Sequence, residues 1–574
     1  MMVFMLAGMV TQAQDPDPLN KDVRVVREYM PEVSDARKIN EMPEREDTLE
    51  VSPEFDYRVR GHALRSTPEI EKLDAASLSR ERGHDLFPSY VRGSLGNYQT
   101  LSGDVFYNLV RNEKFAFALK LGQESSWGNI DLEDGQEVDA PYHLTDGDLY
   151  LRHFFDDKTL EFDMGFDRHG YRYYGHQSIG TDVDYKSGGQ IYQGEELMPE
   201  DKQWQAGFDL HIGLKGQQSR QDAPRYSAAF DFGAFDTYTG VGENSFSLNG
   251  DLKLPFGGLS LFVDGGASFY NVNTPSKETD QPGLYDFDER EQLFLTLNPK
   301  VVIPGDQLSV ELGVNATGEF TGDEDIYLSP HVKGDLTIAE GIVSSFVGMT
   351  GEVRPATYRK VMKENPFVSP DEQVKTAFSN IKGFAGVKGN FSSATSFTAR
   401  VDYEYIEDEH FFENRFFPAR SGENEYGMSN LFSAIYSDAT LLTVSGELLV
   451  RPMPELDIVL KGAYYGWELD LYDYAWHKPD MELGLRAGYA VSEDWRINAS
   501  LNIIGERYAR YVGNEDGVKK LDPVTDFNLS ANYQYHKRLH FFGRFQNIFV
   551  SDYYKWAGYP MQGLNFQLGA GYSF

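Results

Sequence analysis

The chain has 574 residues, no cysteine, 89 Asp and Glu against 53 Lys and Arg for a formal net charge of −36, 55 glycines, and 39 Phe, 35 Tyr and 6 Trp. Without cysteine there is no thiol catalysis, Cys-ligated zinc, iron–sulfur cluster or disulfide scaffold, and so acidic a chain does not present the basic stripe of a nucleic-acid binder. Length alone suggests several domains, but the aromatic and glycine content suits one large β-architecture; no run of about 18 apolar residues occurs, which excludes a transmembrane helix and leaves transmembrane strands open.

Residues 1–13 carry an apolar stretch, Val3 to Val10, followed by Thr11-Gln12-Ala13. This reads as a secretory signal peptide cleaved after Ala13, its missing basic n-region pointing to a truncated start. An exported chain without cysteine suits the Gram-negative outer membrane. Residues 14–87 are proline-punctuated (Pro16, Pro18, Pro31, Pro43, Pro53), densely charged and aperiodic. Such a composition cannot bury a core, so an irregular periplasmic or lumenal segment is expected, with one short helix over Pro68–Arg82 whose weak apolar face is Ile70, Leu73 and Leu78.

From residue 88 to 574 the pattern is period-2 alternation. Leu160, Phe162, Met164 and Phe166 oppose Glu161, Asp163, Gly165 and Asp167; Phe246, Leu248 and Leu252 oppose Ser247, Asn249, Asp251 and Lys253. Phe527, Leu529, Ala531, Tyr533 and Tyr535 oppose Asp526, Asn528, Ser530, Asn532 and Gln534. The clearest case is the last: Phe566, Leu568, Ala570, Tyr572 and Phe574 share one face against Asn565, Gln567, Gly569, Gly571 and Ser573. One face suits lipid and the other water.

Short turns near Val110–Lys114, Phe155–Thr159, Gln217–Ala223, Pro255–Gly258, Pro304–Gln307, Ile338–Ile342, Asn390–Thr395, Arg451–Glu455, Ser492–Asp494 and His536–Arg538 alternate with long polar loops. The long loops include Gln123–Thr145, Arg168–Lys202, Asn271–Arg290, Val353–Thr376, Ile406–Ser437 and Glu506–Thr525. Ten short turns with both chain ends on the periplasmic side make eleven hairpins. The expected fold is therefore all-β: a single transmembrane antiparallel β-barrel of about 22 strands, one hairpin more or fewer shifting the count by two. Tyr489, Trp495, Tyr572 and Phe574, near strand ends, suit an interfacial aromatic girdle. The acidic loops Asp131–Asp139, Gly322–Asp325 and Glu407–Glu409 suit solvent, or divalent cations bridging lipopolysaccharide.

The stretch Asn547 to Phe574, with Asn547, Ile548, Phe549, Tyr553, Gly558, Tyr559, Pro560, Gly563 and a terminal Phe574, resembles the last hairpin of TonB-dependent outer-membrane receptors. The run Tyr90 to Tyr98 resembles the first barrel strand of that family. The resemblance implies that the terminal strand, through Phe566, Leu568, Ala570, Tyr572 and Phe574, acts as the assembly signal read by the barrel assembly machinery, and that Asp47-Thr48-Leu49-Glu50-Val51 corresponds to the energy-coupling box. Family members carry a plug domain longer than residues 14–87. Val25 to Ala36 instead resembles short, plugless receptor-like barrels of Bacteroidota.

Enzyme motifs are absent: there is no Gly-x-Ser-x-Gly elbow, His-Glu-x-x-His helix or phosphate loop. His410 among Glu407, Asp408, Glu409 and Glu413, and the run Asp131–Glu137, are read as solvated acidic loops rather than cation sites, because a hard cation needs several converging oxygens. No cofactor, metal or nucleic acid is expected. Arg496, Arg544, Asp526, Asn528, Asn498, Gln546 and Lys253 should line the lumen. The expected function is a receptor-like, non-enzymatic barrel transporting a nutrient across the outer membrane without a normal plug domain. Its partners would be lipid, lipopolysaccharide, the assembly machinery, and a separate plug, lipoprotein or TonB. The alternatives are a non-transporting accessory subunit of an assembly or export complex, and a passive channel.

Overall fold

The structure, a computed structural model, describes residues 89–111, 114–175, 179–180, 182–187, 189–197, 200–216, 224–275, 285–320, 325–355, 357–420, 426–511, 517–550 and 553–574. The expected signal peptide, the irregular segment with its helix over Pro68–Arg82, and the coupling-box resemblance at Asp47–Val51 lie outside them.

Twenty-two antiparallel strands form one sheet that closes on itself. The first strand, Ser89–Gly96, pairs with the last, Asn565–Ser573, from Tyr90 opposite Ser573 to Gly96 opposite Gln567. Closure pairs the backbone groups that an open edge would strand in hydrocarbon. Side chains follow the alternation: Leu568, Leu328, Val347 and Leu248 are each at least 60% exposed on the outer face, whereas Asp526, Asn528, Arg544, Gln546 and Gln567 are buried on the inner one. The 22-strand count expected from turn spacing is the observed one.

The short connections fall where expected; the one at Gln217–Ala223, and part of that at Val110–Lys114, lie outside the described residues. Between the strands Gly242–Phe256 and Leu259–Asn273 the turn is Gly257-Gly258, with φ of 55° and 87°. Glycine adopts two such values without strain, and this pair closes a two-residue hairpin turn. The described part of the chain begins and ends at this same rim: Ser89 N donates to Phe574 O at 3.2 Å, and Phe574 N to Ser89 O at 2.8 Å. Here too lies an aromatic girdle, with Trp495 stacked on Tyr533 (4.7 Å) and Tyr572 beside Phe574 (6.5 Å).

One expected loop is a correction. Ile406–Ser437 is mostly strand, because Thr395–Pro418 and Tyr426–Met453, of 24 and 28 residues, continue pairing far beyond the lengths of their neighbours. The alternation signal fails there because the sheet is covered by other loops. Phe411, Phe412, Leu431 and Phe432 are all buried, and register shifts at Ile406/Glu409 and Asn414/Phe416 break the period. Among the described residues four small hairpins also stand within connections: Asn129–Asp131 with Glu137–Asp139, Asp184–Ser187 with Gln190–Gln193, Arg507–Arg510 with Val518–Leu521, and Tyr554–Trp556 with Tyr559–Pro560.

Candidate functional site: a loop folded into the lumen

The connection between the strands Val343–Arg354 and Ala377–Ser392 contains the single α-helix of the described residues, α1 (Tyr358–Glu364). Thr357 caps it, its Oγ accepting from Lys360 N at 3.1 Å. Asn365, extended ahead of Pro366, ends it. Helical spacing puts Tyr358, Val361 and Met362 on one face and Arg359 and Lys363, four residues apart, on another. The apolar face is buried in a cluster with Phe235, Val241, Phe412, Phe432, Trp556 and Tyr559.

The cationic face meets the inner wall. Arg359 donates to both oxygens of Asp209, at 2.5 and 2.6 Å, and reaches Asp167 at 3.5 Å; Lys363 holds the same Asp167 at 2.7 Å. Asp209 is the central residue of the fifteen-residue strand Lys202–Gly216, so the loop reaches to mid-barrel. Two wall glycines leave the niche. A Cβ on Gly207 would sit 2.7 Å from the Arg359 guanidinium, and one on Gly233 3.2 Å from it.

At the helix end, Glu364 accepts from Lys478 Nζ and bonds His410 Nε2, both at 2.8 Å. Burial opposes charge on Glu364, but Lys478 and His410 outweigh it and hold its carboxyl well below the usual carboxylate range. From His410 a ladder of charges descends the inner wall: Glu409 at 3.3 Å, Arg354 at 3.8 Å from Glu409, Glu404 bonded to Arg354, Lys382 at 3.6 Å from Glu404, and Asp402 at 3.8 Å. Beyond the helix, Phe367 stacks on Tyr559 (3.6 Å between centroids), Val368 forms a parallel bridge to Phe432, and Arg415 holds Asp371 at 2.8 Å. A second pin lies above. His477, buried, bonds Phe412 O through Nδ1 at 2.8 Å and accepts from Ala557 N at 3.3 Å. Burial pushes its pKa down to about 3, which agrees with the neutral ring this pattern requires.

Beside the loop is a cavity of about 510 Å³, with residues 370–376 on one side and residues 287–291 among its other walls. Eight carboxyl groups, including Asp288, Glu291, Glu319, Asp371, Glu372 and Asp408, face two cationic side chains, Arg290 and Lys375. Burial and the neighbouring Asp371 raise the Glu372 carboxyl to about 8.

Of the residues expected at the lumen, Asp526, Asn528, Arg544 and Gln546 are buried on the inner wall, Asn498 stands opposite Ser530, Lys253 lies over Phe262 at 5.1 Å, and Arg496 is exposed at the short-turn rim. Phe566, Leu568, Tyr572 and Phe574 face outward and Ala570 is half-buried. The acids around His410 separate to different partners: Glu407 to Asn380, Asp408 to Lys375, Glu413 to Arg510. Among the described residues no group of three or more potential ligands could hold a metal ion. The expectation of a plain loop at Val353–Thr376 missed α1. Its signal was present in the spacing of Tyr358, Val361 and Met362 against Arg359 and Lys363, but seven residues are too few to stand out from a loop.

No protein-family profile matches the sequence, and no curated protein is significantly similar. The barrel does match solved structures. The ferric-catecholate import receptor Fiu from E. coli K12 aligns at TM-score 0.60 and 11% identity over 86% of this chain and 82% of that one. The pyoverdine outer-membrane receptor FpvA from Pseudomonas aeruginosa PAO1 aligns at 0.60 and 11% over 86% and 79%. The copper transporter OprC aligns at 0.58 and 14% over 86% and 82%. The chain thus has the fold of a 22-stranded TonB-dependent-receptor barrel, as its C-terminal sequence suggests. At these identities the likeness is one of fold.

Proposed function

We propose that the protein is an outer-membrane transport receptor that takes its ligand at the long-loop face. The observation that carries this reading is the closed receptor-type barrel whose long-loop face holds a cavity beside an in-folded loop. The excess of carboxylates there favours a cationic ligand, because like charges repel an anion over the whole lining. The short-turn rim, where the described chain begins and ends, is periplasmic. The terminal aromatic strand serves assembly, and the segment Asp47–Val51 engages TonB. Neighbours described as an import receptor, an outer-membrane receptor and a transporter support a non-enzymatic role.

The test has two parts. The full chain should fractionate with the outer membrane as a heat-modifiable band; recovery as a soluble periplasmic protein sinks the reading. An affinity pull-down from detergent-solubilised membranes should then recover TonB, and Leu49→Pro should abolish that recovery. Stoichiometric recovery of assembly or export components instead would assign an accessory role.

A further inference from the structure

We propose that residues 357–376 are a gate, and that the barrel conducts small cations when this gate leaves the lumen. The proposal rests on the transport reading only in placing the barrel across a membrane. The gate is a separable unit. It leaves the wall after Arg354 and rejoins it at Ala377, and these two residues are paired with each other, so the whole excursion hangs from one paired point, just beyond a register shift at Thr350/Glu352. Its hold on the wall is partly ionic, through Arg359 and Lys363 on Asp209 and Asp167, Glu364 on His410 and Asp371 on Arg415, and partly the backbone bridge of Val368 to Phe432. The pairs of Arg359 and Lys363, partly solvated, exchange for water at little net cost. Its other face is apolar, and the burial of Tyr358, Val361, Met362, Phe367 and Val368 keeps the gate closed at rest. The second half of the segment forms a wall of the acidic cavity, so a ligand there touches the gate directly.

The cation preference follows from the wall that the gate covers. Asp148, Asp167, Asp209, Asp231, Asp251 and Asp264 stand at water-facing positions of neighbouring strands. Arg359 and Lys363 neutralise Asp167 and Asp209 while the gate is in place. Withdrawing it uncovers Asp167 and Asp209; over the whole segment Arg359, Lys360, Lys363 and Lys375 leave with Glu364, Asp371 and Glu372, so the lumen becomes more negative by one charge, and carboxylates lining a pore select for cations.

The test is conductance of the purified full chain in planar bilayers under a KCl gradient. The unaltered protein should be nearly silent. Replacing residues 357–376 by a Gly-Ser linker should give steady conductance with a cation-selective reversal potential, in protein that retains its heat-modifiable migration. Arg359→Ala with Lys363→Ala should open intermittently. Adding Val368→Cys and Phe432→Cys to that variant should silence it again, reversibly on reduction, and the native chain has no cysteine to interfere. A silent deletion variant would show that another segment fills the lumen and would overturn the gate while leaving the receptor reading intact. Full conductance in the unaltered protein would overturn it too. A zero or anion-selective reversal potential would overturn the cation preference. Should the deletion variant fail to fold, the cysteine pair decides: no difference between its oxidised and reduced forms overturns the gate.

Discussion

The guanidinium of Arg359 forks onto both carboxylate oxygens of Asp209, tying a short helix in a surface connection to the middle of a barrel strand 150 residues away in sequence. Two glycines clear the space for this contact, and the same helix is fixed at its far end through Glu364.

Asp209→Asn should loosen the helix without disturbing the barrel. Asp209 is about half exposed, so water screens the pair and about 1 kcal/mol is at stake. That corresponds to roughly a fivefold rise in the open population, read as faster tryptic cleavage after Lys363. A double-mutant cycle with Arg359→Ala should show that the two effects are not additive.

Phe367→Ala should free the segment more strongly. It removes the ring stacked on Tyr559 from a cluster in which Tyr559, Phe432 and Val368 are fully buried, a change that typically costs about 3–5 kcal/mol. Protease sensitivity should rise steeply between residues 357 and 376, while heat-modifiable migration of the barrel stays as in the unaltered protein.

The loop layer should have opposed pH slopes. Glu372 is raised to about 8 in the folded loop, so the folded state binds the extra proton and stability falls as pH rises from about 4.5 through 8. His477 is lowered to about 3, so its contribution is full above about 6.5 and is lost as pH falls towards 3. Hydrogen exchange or proteolysis of the loops as a function of pH should show an interior optimum, and Glu372→Gln should flatten its alkaline side. Glu364, whose carboxyl lies well below the usual range, holds the helix end at any pH above the carboxylate region.

Leu568→Lys should impair membrane integration. Leu568 points outward from the last strand, and a lysine on the lipid face costs about 2–4 kcal/mol near the midplane. The yield of heat-modifiable, membrane-integrated protein should drop. Gln567→Ala, one residue away on the buried inner face, should leave that yield near normal.

How much of this was legible in the sequence can be followed along particular residues. Leu248 and Leu568 announce lipid, and Asp526 and Gln567 announce the interior, through alternation alone. Turn chemistry such as Gly257-Gly258 then sets the strand count. The long pair of strands through Phe411 and Phe432 carries no strand signal in the sequence, because a sheet covered on both faces no longer alternates. Of the acids near His410 in sequence, only Glu409 stays beside it, at 3.3 Å; Glu407, Asp408 and Glu413 go to Asn380, Lys375 and Arg510.

The sequence by itself determined a transmembrane barrel of about 22 strands, because period-2 patterning and turn residues are local signals that each hairpin repeats. Only the tertiary structure decided what occupies the long-loop end of the lumen. The contacts that place residues 357–376 there, Arg359 with Asp209, Glu364 with Lys478 and Phe367 with Tyr559, join positions more than a hundred residues apart. Each is a single pair with no period to betray it, and it becomes visible only in the closed wall that brings the partners together.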